Sequence, residues 1–306
     1  MRIDDGSDYG LWPAVRLWYP VPVNPVCRPT QEETLLSGGI ELHVEHFAAA
    51  GPARMVLVTV HGFSSHCGIY RHVAGALLAR GIAVTQFDCR GHGRSRGRRG
   101  HVDRFDDYHE DLCLVVRRAR ERTPGVPWAL MGHSQGGAIA LDHVLRQRSQ
   151  PQADRLVLVA PWLDLKMKVS MPKRAAAEVF SRLKPTLAIE NGIKAEDVSR
   201  SPEVLANFFR DPLVHHVATA GWFSSVLRTQ AALRGMAAQL QVPTLMLVAG
   251  QDRIVSTEAS LAFAQAAGST VEVRRYPDLY HEMFLEPERR QVLGDIGDWL
   301  AQPHAR

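Results

Sequence analysis

The chain has 306 residues, 45% of them hydrophobic and 22% charged, with a formal net charge of +4 at pH 7. That length suits two ordinary domains or one large α/β domain with an insertion, and the composition belongs to a globular chain rather than a disordered or fibrous one. The small, dispersed positive excess offers no basic patch for nucleic acid, and no apolar run approaches the ~20 residues of a membrane span.

Met1–Gly10 carries Asp4, Asp5 and Asp8 without an apolar stretch, so no secretory leader is expected. Cys27, Cys67, Cys89 and Cys113 show no C-x-x-C pairing, so spacing suggests neither a zinc site nor a disulfide framework. A reducing, cytoplasmic setting is expected. Residues 1–33, with Trp12, Trp18 and Tyr19, read as an arm of unassigned role. Thr34–Phe47 reads as an antiparallel hairpin turning at Gly38–Gly39. Arg54–His61, Ile82–Asp88, Trp128–Gly132, Leu156–Ala160 and Thr244–Gly250 are continuous apolar runs, as in strands covered on both faces, and Val271–Tyr276 is a more exposed strand. Helical patterns separate them at Tyr70–Arg80, Asp106–Arg122, Gln135–Arg148, Thr257–Ala267 and Glu288–Ala301. The alternation predicts a mostly parallel, eight-stranded sheet flanked by helices. From about Asp164 to Leu240 no strand is expected, and prolines among apolar helical patterns read as an inserted helical cap. The expected division is an arm at 1–33, a core at 34–163 and 241–306, and a cap at 164–240.

In an open parallel sheet, ligands gather at the carboxyl ends of the strands. Gly132-His133-Ser134-Gln135-Gly136 follows one strand and opens a helix, a G-x-S-x-G turn that would expose the Ser134 oxygen. Taken alone, it is also what a Gly-rich turn with a capping serine looks like. Asp252 follows the Thr244–Gly250 strand, where it can orient an imidazole or simply close a turn. His281 follows the last strand; by itself it is one of fourteen histidines. The order Ser134, Asp252, His281, each in a strand-end loop, makes them candidates for nucleophile, orienting carboxylate and general base. Backbone N–H groups of Gln135 and Phe63 are placed to hold an oxyanion, with the Phe63 side chain available to line a pocket. Five arginines between Arg90 and Arg99 allow a phosphate reading, but a turn-rich solvated loop pinned by Asp88 and His92 is preferred. Phe180, Leu205, Phe208, Phe209, Leu213, Trp222, Phe223 and Leu227 supply the cap's own core and, in part, the pocket.

Together these residues resemble the α/β-hydrolase superfamily, and within it the monoacylglycerol lipase and lysophospholipase group of serine hydrolases. The resemblance rests on His61-Gly62-Phe63 with His66, Gly68 and Tyr70, on the glycine- and arginine-rich run from Asp88 to Gly100, and on Gly132–Gly137. It is completed by Asp211–Val214, by Gly250-x-Asp252-x-x-Val255 and by Tyr276-Pro277-x-x-Tyr280-His281-Glu282. It spans about residues 34–300. It implies that Ser134, Asp252 and His281 form a triad, that Phe63 and Gln135 form the oxyanion hole, and that no cofactor or metal is needed. The expected activity is hydrolysis of carboxylic esters, monoacylglycerols or lysophospholipids, through an acyl-enzyme on Ser134. Amidase or aminopeptidase chemistry of the proline iminopeptidase kind, with Glu203, Glu282 or Glu286 holding the amine, is the alternative, as is a thioesterase. A non-catalytic receptor is disfavoured because all three triad residue types are present. A small-molecule acyl ester is the expected partner, the cap leaves open a transient membrane-surface contact, and nucleic acid is not expected.

Overall fold

The computed structural model describes residues 27–146, 152–167, 169–208 and 210–302. Trp12, Trp18, Tyr19 and Phe209 lie outside them. The chain opens with β1 (Gln31–Ser37) and β2 (Ile40–Phe47), an antiparallel pair in which Ser37 faces Ile40. Gly38 and Gly39 both adopt positive φ, 54° and 83°, which a two-residue hairpin turn requires. The hairpin is the one read from sequence, but β1 begins at Gln31, ahead of the expected Thr34. Cross-strand and tertiary partners extend it: Glu33 accepts from His46 and from Arg118.

The remaining elements follow as β3 (Met55–Val60), α1 (Arg71–Leu78), β4 (Ile82–Phe87), α2 (Phe105–Arg122), β5 (Trp128–His133), α3 (Gln135–Arg146) and β6 (Arg155–Val159). Then come α4 (Met171–Leu183), β7 (Ala188–Glu190), α5 (Ala195–Val198), α6 (Pro202–Phe208), β8 (Val217–Thr219) and α7 (Ala220–Gly235). The chain closes with β9 (Thr244–Ala249), α8 (Thr257–Ala267), β10 (Val271–Tyr276) and α9 (Arg289–Ala301). Eight strands form one sheet in the order β1-β2-β4-β3-β5-β6-β9-β10, parallel from β4 onward. Every residue of β3, β4, β5, β6 and β9 is buried, the burial that their continuous apolar sequences call for, whereas edge strand β10 is mostly part-exposed. Register sets Val60 beside Gly132 and Tyr276 beside Ala249, so the loops that follow open along one edge of the sheet.

The segment between β6 and β9 is mostly helical, as expected, with one correction. β7 and β8 pair antiparallel as a separate two-stranded sheet. At three residues each, they are too short to show a period-2 pattern. Helix α4 packs along α7, which also touches α2 and α3. Polar bonds tie this segment to the core: His66 Nε2 to Asp211 Oδ2 at 3.1 Å, and the Glu282 N–H to the Val198 carbonyl at 2.8 Å.

Candidate active site

Ser134 sits between β5 and α3 with φ of 53°, a left-handed conformation that costs a non-glycine residue about 1 kcal/mol or more. The strain is held by tight packing on both sides. A Cβ on Gly132 would collide with the carbonyl of Gly136, and one on Gly136 would collide with the carbonyls of Val60 and His61. Only glycine lets strand and helix approach this closely, and the turn carries Ser134 to the sheet's carboxyl edge.

Asp252 and His281 converge there from the loops after β9 and β10. His281 Nδ1 lies 2.8 Å from Asp252 Oδ2, both side chains buried. Asp252 Oδ1 accepts from the N–H groups of Ile254 and Val255 at 2.8 and 2.9 Å. Burial works against charge on Asp252, but the His281 imidazole and these two donors outweigh it and hold its pKa below the usual value. Burial likewise opposes protonated His281, and the Asp252 carboxylate overcomes it, leaving the imidazole pKa raised. Ser134 and His281 line the same cavity without a formed hydrogen bond between them. Such links commonly tighten only when substrate arrives.

His61 orients the loop after β3. Its Nε2 accepts the Cys89 N–H at 2.9 Å, so its Nδ1 carries the proton and donates to the Gly62 carbonyl at 2.7 Å. Carbonyl and N–H of one planar peptide point opposite ways, so this bond turns the Phe63 N–H away from His61. Gln135 begins α3, where backbone N–H groups have no intrahelical acceptor. The side chains lock the same region: Phe63 stacks on Trp222 with centroids 3.7 Å apart, and Trp222 Nε1 donates to Gln135 Oε1 at 2.9 Å.

The cavity over these groups measures about 620 Å³. Of the apolar residues foreseen for the cap, Phe180, Trp222 and Phe223 line it. Leu205, Leu213 and Leu227 do not, while Leu187, Ile189 and Val198 do. Polar groups reach it at Asn191, Lys173 and Glu282. The arginine loop proves to be ion-paired rather than a phosphate cradle: Arg90 clasps Asp111, Arg94 reaches Glu32 and Arg96 faces Glu41. Asp88 pins it, accepting from Cys67 and Arg94 N–H at 2.7 Å each.

One group was not foreseen in its role. Glu282 is buried beside His281, and Tyr70 Oη donates to its Oε2 at 2.9 Å while standing 3.0 Å from His133 Nδ1. Burial raises the Glu282 pKa to about 7. His133 Nε2 donates to the His281 carbonyl at 3.1 Å, and burial lowers its pKa to about 3. The only sequence signal was the proximity of Glu282 to His281. Glu286 is taken up by Ser199 and Arg200, and Glu203 is exposed.

Among known proteins, the family described as Serine aminopeptidase, S33, matches residues 51–288. A monoacylglycerol lipase of Mycolicibacterium smegmatis is 35% identical over 265 residues, 86% of this chain and 94% of the relative. A phospholipase of Bacillus subtilis is 30% identical over 239 residues, 78% of this chain and 91% of the relative. The crystal structure of a monoacylglycerol lipase from Paleococcus ferrophilus matches with a TM-score of 0.78 at 27% identity, covering 85% of this chain and 98% of that one.

Proposed function

The chain belongs to the Serine aminopeptidase, S33, family and has the α/β-hydrolase fold, and from that premise we propose that it hydrolyses carboxylic esters through an acyl-enzyme on Ser134. The observation that carries this is the strained serine and the Asp252-bound His281 lining one apolar cavity. In this reading His281 Nε2 removes the hydroxyl proton as Ser134 Oγ attacks the ester carbonyl. The Phe63 and Gln135 N–H groups hold the resulting oxyanion. His281 then gives its proton to the departing alcohol. Water, deprotonated by His281, attacks the acyl-enzyme and releases the carboxylate and free Ser134.

Monoacylglycerols or lysophospholipids are the substrate class this cavity suits. Its size falls in the range of small-molecule sites, and its apolar walls match an acyl chain. Lys173 and Asn191 offer donors to a polar head. The names of the relatives point the same way. Aminopeptidase chemistry gains no support from the three carboxylates weighed for it. Glu286 is engaged, Glu203 is exposed, and Glu282 is held by Tyr70 in surroundings that oppose its charge. Among the described residues no helix is long and apolar enough to cross a membrane. Met171, Val179, Leu183 and Ile189 nevertheless expose apolar surface on the cap, the patch through which we place a transient lipid contact. A cytoplasmic setting and the boundaries 1–33, 164–240 and core belong to the same proposal.

A fluorophosphonate probe is expected to label Ser134. Ser134→Ala should lose both the label and turnover of a p-nitrophenyl ester series, by about 10³–10⁶-fold. Unchanged ester hydrolysis in that variant sinks the reading, and faster turnover of aminoacyl anilides than of esters replaces it with the aminopeptidase one.

A further inference from the structure

Away from the cavity, the contact between α2 and α3 gathers three residues of another chemistry. His109 and Cys113 stand four positions apart on α2, and so share one face of the helix. His143 meets them from α3. Cys113 Sγ lies 3.4 Å from His109 Nε2 and 3.8 Å from His143 Nδ1, and the three ligand atoms all fall within 4.8 Å of one another. We propose that His109, Cys113 and His143 bind a borderline-soft divalent cation, zinc being the fitting case, that ties α2 to α3.

The dimensions fit. With metal–sulfur and metal–nitrogen bonds of about 2.3 and 2.0–2.1 Å, a tetrahedral zinc site has sulfur–nitrogen edges of roughly 3.5 Å. Both observed separations lie within a few tenths of an ångström of that edge, so small side-chain adjustments bring the ligands to bonding distance. Hydrogen bonding leaves room for a cation. A thiol is only a weak donor and a weak acceptor, so its bonds to the two ring nitrogens that face it are weak ones. On the far sides of the rings, His109 Nδ1 and His143 Nε2 are buried without a hydrogen-bond partner among the described residues. His143 is only 1% exposed, so its position is set by packing, whereas His109 and Cys113 are half-buried and leave solvent a route to the fourth position.

The charges agree with the ligand type. Burial holds both imidazoles in the neutral form that binds metal, His143 down to about 3 and His109 also below its ordinary value. Asp142, next to His143 in sequence, presents a favourable charge to His109, and its Oδ2 is buried without a partner among the described residues. Arg146, whose charge opposes a cation at His109, is already held by Asp142 and Asp106. One sulfur and two imidazoles favour zinc, cobalt or copper over magnesium or calcium.

His143 lies eight residues beyond Gln135, so at 1.5 Å per residue the site is about 12 Å along α3 from the serine turn. The cation therefore acts on stability by mass action rather than on the chemistry. The spacing His109-x-x-x-Cys113 stood in the sequence, but its partner on α3 is supplied only by the fold.

Cobalt(II) reports the site directly. Full-length protein stripped with chelator and titrated with cobalt is expected to take one equivalent, showing tetrahedral d–d bands and a thiolate-to-cobalt charge-transfer band. Zinc should displace the cobalt and raise Tm, while magnesium does neither. Cys113→Ser should abolish the charge-transfer band, and His109→Ala should weaken cobalt at least tenfold, each with native circular dichroism and unchanged fluorophosphonate labelling. Absence of the band in the wild type overturns the proposal. So does its survival in Cys113→Ser, which would put the metal on another cysteine. Should Cys113→Ser fail to fold, His109→Ala decides alone: unchanged cobalt affinity in that variant also overturns the site.

Discussion

At the scale of single residues, two shifted ionisations bear on the site. In the proposed reaction His281 must be neutral to accept the Ser134 proton, and its pKa is raised because the Asp252 carboxylate outweighs burial. kcat/KM should therefore rise with pH through an ionisation above the ordinary histidine value. Asp252→Asn should move that ionisation down and lower kcat by about 10⁴-fold; a profile unmoved by the substitution removes Asp252 from the line. Glu282 supplies the second ionisation. Burial lifts its pKa from 4.5 to about 7, so the folded chain keeps a proton that the unfolded chain has already lost. The stability held by that proton is fully present below pH 4.5 and is lost as pH rises through 7, about 3 kcal/mol in all. Glu282→Gln keeps an acceptor for Tyr70 and should flatten this loss in urea unfolding series from pH 4.5 to 8. His61 acts on the proposed oxyanion hole indirectly, through the Gly62–Phe63 peptide. Its removal in His61→Ala frees the Gly62 carbonyl, and with it the direction of the Phe63 N–H. A fall in kcat of about 10²-fold with KM little changed is expected, since the Phe63 N–H, as the proposed oxyanion donor, would act on the transition state.

Among the elements, the turn from β5 to α3 is the least tolerant. Gly136→Ala forces a methyl group against the backbone of Val60 and His61, and backbone cannot move aside as a flexible side chain would. Overpacking of this kind costs about 1–3 kcal/mol and should show in Tm, with kcat falling further as the serine is displaced. The cap behaves differently. Met171 and Leu183 are 75% and 76% exposed, so a Met171→Ser, Leu183→Ser double variant should leave Tm nearly unchanged. Its turnover of a short soluble ester should persist while its rate on lipid vesicles falls severalfold; equal rates on both would refute the lipid contact. The short strands β7 and β8 illustrate how such segments escape a sequence reading. Ala188–Glu190 and Val217–Thr219 acquire strand geometry from each other, across a separation in sequence that no local pattern spans.

For the molecule as a whole, stability rests in the all-buried central strands, and the site is a consequence of their register. Leu130 on β5 is fully buried, and Leu130→Ala should cost about 2–5 kcal/mol and shift unfolding without altering the substrate range. The strands themselves were legible in the sequence because being covered on both faces demands unbroken apolar runs, as at Met55–Val60 and Thr244–Ala249. The Gly38–Gly39 turn and the glycines around Ser134 were legible too, since each local backbone demand admits few residues. What the sequence by itself determined, then, was the layer architecture and the candidates Ser134, Asp252 and His281, because local sterics and burial leave their marks within a few positions. Only the tertiary structure decided that Asp252 meets His281, that Trp222 latches the cap onto Phe63 and Gln135, that Glu282 is buried beside Tyr70, and that His143 faces His109 and Cys113. Each of these joins residues whose proximity comes from sheet order and helix packing, and long-range contact has no local pattern to announce it.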